Sequence, residues 1–473
     1  MPLWLLNFHT TASAQLTIEV APAITPAAAT PTIIQPATSD TSVVRESNQF
    51  NILGGQSSGG TAPNLIHQFQ QFDLGSADAA NFVVDPNVAN VISLINALQP
   101  SSIDGLLKVT SNDLSQATSA NLFLVNPAGI VFGENVSLSL PANLTATTAS
   151  GLLFDETYLL SIDGSVSDLD SSAGGSVISI NAIAPTLSTP TINNLTGNPI
   201  GYLMLSAPAS SVALDPLSPE LPTGSIENQG SLEVTPQATI TFIGHYIQND
   251  GKLVAPGGTI NLVATAGDTL LRLNQPGSLL SFDVVPADTL AAIATTAVPD
   301  TLATTELAQL LTGGNEQSAT EIVVNSDGSQ TLTNSPPSLA PTPGTVLVRG
   351  VVDVSDDHLA APNSSPGQVT MLGNQINLVG GDIFANGVSQ AGTLSIGGMP
   401  VEDGFSAAYV LVDRNSTLQA NSETSQGGSI DIWANHTVRF YGTATATGAR
   451  PQLDGTVTIE AGKVLDIRPP AAR

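Results

Sequence analysis

The hydrophobic pattern of this chain is a succession of short apolar runs cut by polar corners, and its densest example spans residues 121–133. Residues 122–125, Leu-Phe-Leu-Val, show no in/out alternation, which predicts a strand buried on both faces. Asn126-Pro127-Ala128-Gly129 then fits a type I turn. Asn suits the first place, the fixed φ of Pro suits the second, and Gly relieves crowding at the fourth. Ile130-Val131-Phe132 resumes the buried strand. Two such strands joined by a sharp corner are what a coil of a stacked β architecture requires.

The same grammar fills residues 47–160, where apolar strands alternate with Gly, Asn, Asp and Pro corners. Val88, Val91, Ile92 and Ile95 fall at helical spacing, so residues 88–98 are a helix candidate, with a loop or strand weighted equally because of the β-branched content. Further on, a loose repeat appears: Gly, a polar residue, then apolar-polar-apolar. It begins at Gly258, Gly367, Gly392, Gly428 and Gly455. Between the copies lie short strands ending in Asn-Gly or Gly-Gly, and Asn228-Gln229-Gly230 and Asn249-Asp250-Gly251 mark earlier corners. This reads as a parallel β-solenoid, in which no coil buries its apolar face alone and stacking supplies the core. At ~4.8 Å per coil the whole predicts a rod on the order of 70–90 Å long. A pair of β-sandwiches is the alternative, disfavoured because tight hairpin signals are few.

Two stretches fall outside the coils. Residues 15–46, rich in Ala, Pro and Thr, read as a lead-in strand and a weakly ordered arm, with order beginning near Asn48. Residues 286–343 read as an excursion from the solenoid. Two short helix candidates near Asp288 and Thr305 precede a hairpin over residues 318–332 turning at Asp327-Gly328, and a Pro-rich linker follows. Residues 161–285 and 344–473 are expected to continue the coils. At the start, Leu3-Trp4-Leu5-Leu6 followed by Ala12-Ser13-Ala14 reads as a signal peptide over residues 1–14, truncated at its basic end. No later segment is long and apolar enough to span a bilayer as a helix.

Composition narrows the function. Lys and Arg number 11 against 39 Asp and Glu, for a net charge of −28. No cation lies between Lys108 and Lys252, or between Arg272 and Arg349. Phosphate neutralisation needs clustered cations, so a nucleic-acid partner is excluded and an anionic membrane surface would repel the chain. There is no cysteine, which removes disulfides, thiolate metal sites and cysteine nucleophiles.

Catalytic and metal-binding patterns are missing. The five histidines, His9, His67, His245, His358 and His436, have no zinc-type partner at short spacing. His67 lies among apolar neighbours and reads as a packing residue. The densest acidic run, Asp163 to Asp170, fits neither an EF-hand nor a Gly-rich calcium roll and reads as a solvated loop. No nucleophile elbow or phosphate loop occurs. No cofactor, no metal and no catalytic residue is therefore assigned.

Five stretches in order carry a resemblance. They are Asn48-Gln-Phe-Asn-Ile52; Asn64 to Phe72 with Leu65, Phe69 and Phe72; Ser102-Ile103-Asp104-Gly105-Leu106; Asn121 to Gly133 with Phe123; and Leu144 to Ala149. Together they resemble the N-terminal secretion domain of filamentous haemagglutinin-type proteins, the exported members of two-partner secretion, in the style of the cyanobacterial branch. The resemblance implies an all-β, right-handed parallel β-helix with a capped N-terminus, from which residues 286–343 stand out as the extra-helical insertion. It further implies delivery to a TpsB-type outer-membrane pore, whose periplasmic domains recognise the secretion domain unfolded or partly folded.

The family's Asn-Pro-Asn-Gly corner maps onto Asn126-Pro127-Ala128-Gly129, followed by Ile130. Ala128 replaces the second Asn, which removes any role for a side-chain amide there but leaves the turn possible. The companion tetrapeptide Asn-Pro-Asn-Leu has no convincing counterpart; Asp85-Pro86-Asn87-Val88 is similar in letters only. The resemblance implies a secreted or surface-exposed, non-enzymatic protein with an adhesin-like role, its cell-surface or carbohydrate ligand unspecified. A carbohydrate-active β-helix enzyme and a purely structural filament are the alternatives. Three or more carboxylates converging in one groove would favour the enzyme.

Overall fold

The computed structural model describes residues 31–113, 115–154, 157–168, 191–205, 223–273, 282–285, 321–324, 330–333, 342–356, 366–398 and 406–468. Its centre is a parallel β-helix whose coils each contribute a strand to a long sheet, a strand to a second sheet and, in most coils, a strand to a third. One inward column runs along the long sheet from Leu65 through Val91, Leu122, Leu144, Ile240, Ile260, Val369, Leu394 and Ile430 to Val457. Removing the two antiparallel cap strands from the twelve-stranded sheet leaves ten rungs. At ~4.8 Å per rung the stack is on the order of 45 Å, shorter than the sequence implied, because two excursions take chain out of the coils.

The glycine-led repeats open the long-sheet strands Thr259–Ala264, Gln368–Leu372, Thr393–Ile396, Ser429–Ala434 and Thr456–Ala461. Their glycines are there for close approach. A Cβ on Gly392 would fall 1.9 Å from the Gly367 carbonyl oxygen, and one on Gly428 would fall 1.9 Å from that of Gly392. The Asn corners do a different job. Asn228 donates its amide to Asn249 Oδ1 at 2.7 Å, and Asn249 donates to the Val351 carbonyl at 3.2 Å, so a side-chain ladder holds successive coils in step.

Order begins well before Asn48, contrary to the expected weak arm. Strand Ile33–Pro36 pairs antiparallel with Asn64–Asp73, and Thr41–Glu46 pairs antiparallel with Gln49–Gly54. These strands cover the first coil's open edges, which would otherwise expose a row of unpaired backbone groups. Ile34 and Val43 pack on the core. Across from Pro36 the register slips, leaving Phe69 and Phe72 both inside.

The helix candidate at 88–98 is a strand, Asn90–Ile95. Val91 and Ile95 point into the solenoid, whereas Ile92 and Leu94 join a separate cluster on the outer face. Burial on both faces imitates helical spacing in the sequence.

What buries that outer face is an antiparallel sheet outside the coils. It is assembled from Gly151–Phe154, Tyr158–Ser161, Val166–Asp168, Gly201–Met204, Thr269–Leu273 and Phe282–Val285. Residues 161–285 are therefore not a plain continuation of the β-helix. One excursion leaves after Leu144–Thr147 and returns at Ser225–Asn228; the other leaves after Thr259–Ala264 and returns at Thr345–Val348. Both depart from the same corner, between the long and second sheets. Leu152, Phe154, Leu160, Tyr202, Met204 and Leu271 face the solenoid. Each such side chain, fully buried, contributes about 1.5–3 kcal/mol.

Residues 163–168 of the acidic run belong to this sheet. Asp163 sits in the turn between the second and third of its strands and accepts the Ser165 N–H at 2.9 Å and hydroxyl at 2.6 Å. Those bonds hold its carboxyl below the ordinary range. In the later excursion, Glu321–Val324 and Gln330–Thr333 form the expected antiparallel hairpin. The helix candidates near Asp288 and Thr305, the Asp327-Gly328 turn and the signal segment lie outside the described residues.

Candidate functional site

The corner at residues 126–129 closes as a β-turn, with the Gly129 N–H donating to the Asn126 carbonyl at 3.0 Å. Gly129 has φ of +133°, so glycine is needed for conformation as well as for space. Asn126 is fully buried and its amide is spent inside the coils. Its Oδ1 accepts the Ala128 N–H at 3.0 Å, while Nδ2 donates to Ser101 Oγ at 3.0 Å and the Gln99 carbonyl at 3.3 Å. The flanking coil grips the corner from the other side: Asn126 N–H donates to Thr147 and Gly224 N–H to the Ala128 carbonyl. Pro127 and Ala128 remain half-buried at the surface. Ile130 is buried between Ser101 and Ile226, and Phe132 stacks on Phe242 with centroids 5.5 Å apart.

The other signature residues occupy separate places. Leu65, Phe69, Phe72 and Ile103 line the solenoid core, and Phe123 is buried on the outer face. Asp104 accepts the Asn135 N–H at 2.8 Å, and a Cβ on Gly133 would fall 2.3 Å from Asp104 Oδ1. Gly105 lies so close to the Asp78 carbonyl that a Cβ there would fall 2.3 Å away. Asn64 and Asn121 are brought together through Asn90. Asn121 Nδ2 donates to Asn90 Oδ1 at 2.8 Å, and Asn90 Nδ2 donates to Asn64 Oδ1 at 2.6 Å. Asn143 extends the ladder by accepting the Thr239 N–H at 2.7 Å. Asn90 and Asn143 escaped the sequence reading; their signal was an Asn at, or just before, the start of successive long-sheet strands.

These residues do not converge on one pocket. The apolar ones pack along strands, and the Asn, Asp and Gly residues mark successive corners of the first four coils. His67 sits within the first coil, its ring centroid 5.6 Å from that of Phe82 and its Nδ1 3.1 Å from Thr41 Oγ1. Burial lowers its pKa to about 4. Among the described residues no group of three or more His, Cys, Asp or Glu is placed to hold a metal ion. An open depression of about 440 Å³ near the N-terminal end carries only two carboxylates, Glu46 and Asp78.

A family model described as the TPS secretion domain covers residues 27–336. The chain belongs to that family. Members of the TPS, or two-partner secretion, family are exported to the cell surface or extracellular space. Their fold is the right-handed parallel β-helix, and the coils here have that architecture. The matched stretch takes in the capping strands, the first excursion and most of the second, as well as the five motifs.

Two solved structures are similar to this TPS domain. The HMW1 secretion domain from Haemophilus influenzae is 13% identical with a TM-score of 0.44, over 94% of this chain and 98% of that one. The filamentous hemagglutinin secretion domain is 12% identical with a TM-score of 0.31, over 92% and 99%. No curated protein matches the chain. Among the described residues no helix is long and apolar enough to cross a membrane.

Proposed function

We propose that this protein is the exported member of a two-partner secretion pair, and that residues 64–148 direct it through a TpsB-type outer-membrane pore. The pore's periplasmic domains would read the Asn126-Pro127-Ala128-Gly129-Ile130 corner and the Asn64 to Phe72 strand. The observation that carries this reading is the burial of those residues. Asn126, Ile130, Asn64, Phe69 and Phe72 are all fully buried in the coils. A partner that reads them must do so before the coils close, and folding outside the cell then discourages return. Hydrophobic burial between coils supplies the driving force. The released protein would act at the cell surface as a non-enzymatic, adhesin-like interaction module.

Secretion itself tests the proposal. The chain is co-expressed with a candidate outer-membrane pore, and the medium is assayed. Release should require both the pore and residues 48–154. Release that persists without either one overturns the reading. Isolated periplasmic domains of the pore should also bind the urea-unfolded chain and not the refolded one.

A further inference from the structure

We infer that the first coils of this protein close only after much later parts of the chain have docked on them, so that sequence-early coils finish folding late. The inference goes beyond the secretion reading and rests on intramolecular contacts alone. The outer face of the long sheet carries an apolar stripe, Ile66, Ile92 and Phe123 in one column and Leu94 and Val125 in the next. None of the five is more than 6% exposed. Their cover is the extra-helical sheet. Its strand Gly201–Met204 pairs with Gly151–Phe154 on one side and Thr269–Leu273 on the other, so the cover is incomplete until the second excursion contributes.

A polar tie makes the same demand. The buried Asn64 amide donates to the Leu195 and Gly197 carbonyls, both at 3.0 Å, and Asn90 donates to Asn198 Oδ1 at 3.0 Å. Until residues 195–198 arrive, closing the first two coils would bury those amide hydrogens without these acceptors. The last coils make no such demand. Their outer column reads Asp431 and Thr458, one half-buried and one exposed, polar positions that water can solvate, and they can close rung by rung.

The test is pulse-labelling hydrogen exchange during refolding of the full chain, resolved by mass spectrometry. Amides of Asn64–Asp73, Asn90–Ile95 and Asn121–Val125 should gain protection in the same kinetic phase as Gly201–Met204 and Thr269–Leu273. They should not precede Ser429–Ala434. A second measurement uses the native state of a Met204→Ser variant. Protection should fall about tenfold or more in the three early strands and stay unchanged in Ser429–Ala434. Early strands protected ahead of Gly201–Met204, or unaffected in the variant, overturn the inference.

Discussion

A Cβ on Gly129 would stand 3.0 Å from the carbonyl oxygen of Ser225 in the next coil, on a backbone whose φ is +133°. The corner is thus fixed by main-chain geometry and by stacking. Its neighbour Ala128 contributes an N–H to Asn126 Oδ1 and a carbonyl to Gly224, both backbone groups that any side chain would leave in place. Gly129→Val should destabilise the domain by about 1–3 kcal/mol and depress secretion. Ala128→Asn should change stability by less than about 0.5 kcal/mol and leave secretion intact. Thermal unfolding and the amount released into the medium check both, and equal secretion of the two variants would refute the geometric account.

Asn126 joins two coils through its side chain, and the bond to Ser101 Oγ is buried. Asn126→Ala removes one acceptor and two donations at once and should cost about 1–3 kcal/mol. A double-mutant cycle with Ser101→Ala isolates the pair. A coupling of at least about 0.5 kcal/mol is expected from urea unfolding, because the two residues share one buried bond. Strict additivity would mean the hydrogen bond adds nothing to the corner.

The coils were legible in the sequence because their physics is local. The glycine-led repeats, the Asn corners and the turn at Asn126 each need a particular residue where the backbone turns or approaches another strand, and the structure puts each at such a place. The extra-helical sheet was not legible. Ile92, Leu94, Phe123 and Val125 announced a second buried face, but nothing near them named what covers it. The cover comes from Phe154, Tyr202 and Leu271, residues far along the chain whose own alternation reads as ordinary strand. The cap was missed for a related reason. Residues 33–46 carry Pro36, Thr38, Ser39, Thr41 and Ser42, and their side chains are mostly exposed, so their composition resembles a linker, although antiparallel pairing to the first coil orders them. As for the candidate site, its members were identifiable one by one. Their dispersal over four coils follows from stacking, which the residue spacing does not encode.

Phe154 tests whether the extra-helical sheet is structural or ornamental. It is fully buried against the solenoid's outer face, as Phe132 is fully buried inside the coils. Phe154→Ala and Phe132→Ala should each cost about 3–5 kcal/mol, since both delete a ring from a closed apolar cluster. Urea denaturation of the two variants compares them directly. A cost below about 1 kcal/mol for Phe154→Ala would show that the outer cluster tolerates its loss and that the sheet contributes little to the fold.

His67 makes the N-terminal coil sensitive to acid. Its ring lies between Phe69 and Phe82 and against Thr41 of a capping strand, and burial lowers its pKa from 6.5 to about 4. The unfolded chain takes up a proton near pH 6.5, whereas the folded chain resists it until about pH 4. The unfolded state therefore binds more protons across that window, and stability falls as pH drops through it. The full contribution is present above pH 6.5, and roughly 3 kcal/mol is lost by pH 4. His67→Leu should remove that loss. It leaves Thr41 without its ring partner, so at pH 7 the variant should be the less stable of the two by about 1 kcal/mol. Carboxylates titrate equally in both proteins, so the difference between their unfolding free energies isolates the imidazole. That difference should shrink and then reverse between pH 6.5 and pH 4. A gap that stays constant across the window would mean the ring accepts its proton without opening the coil.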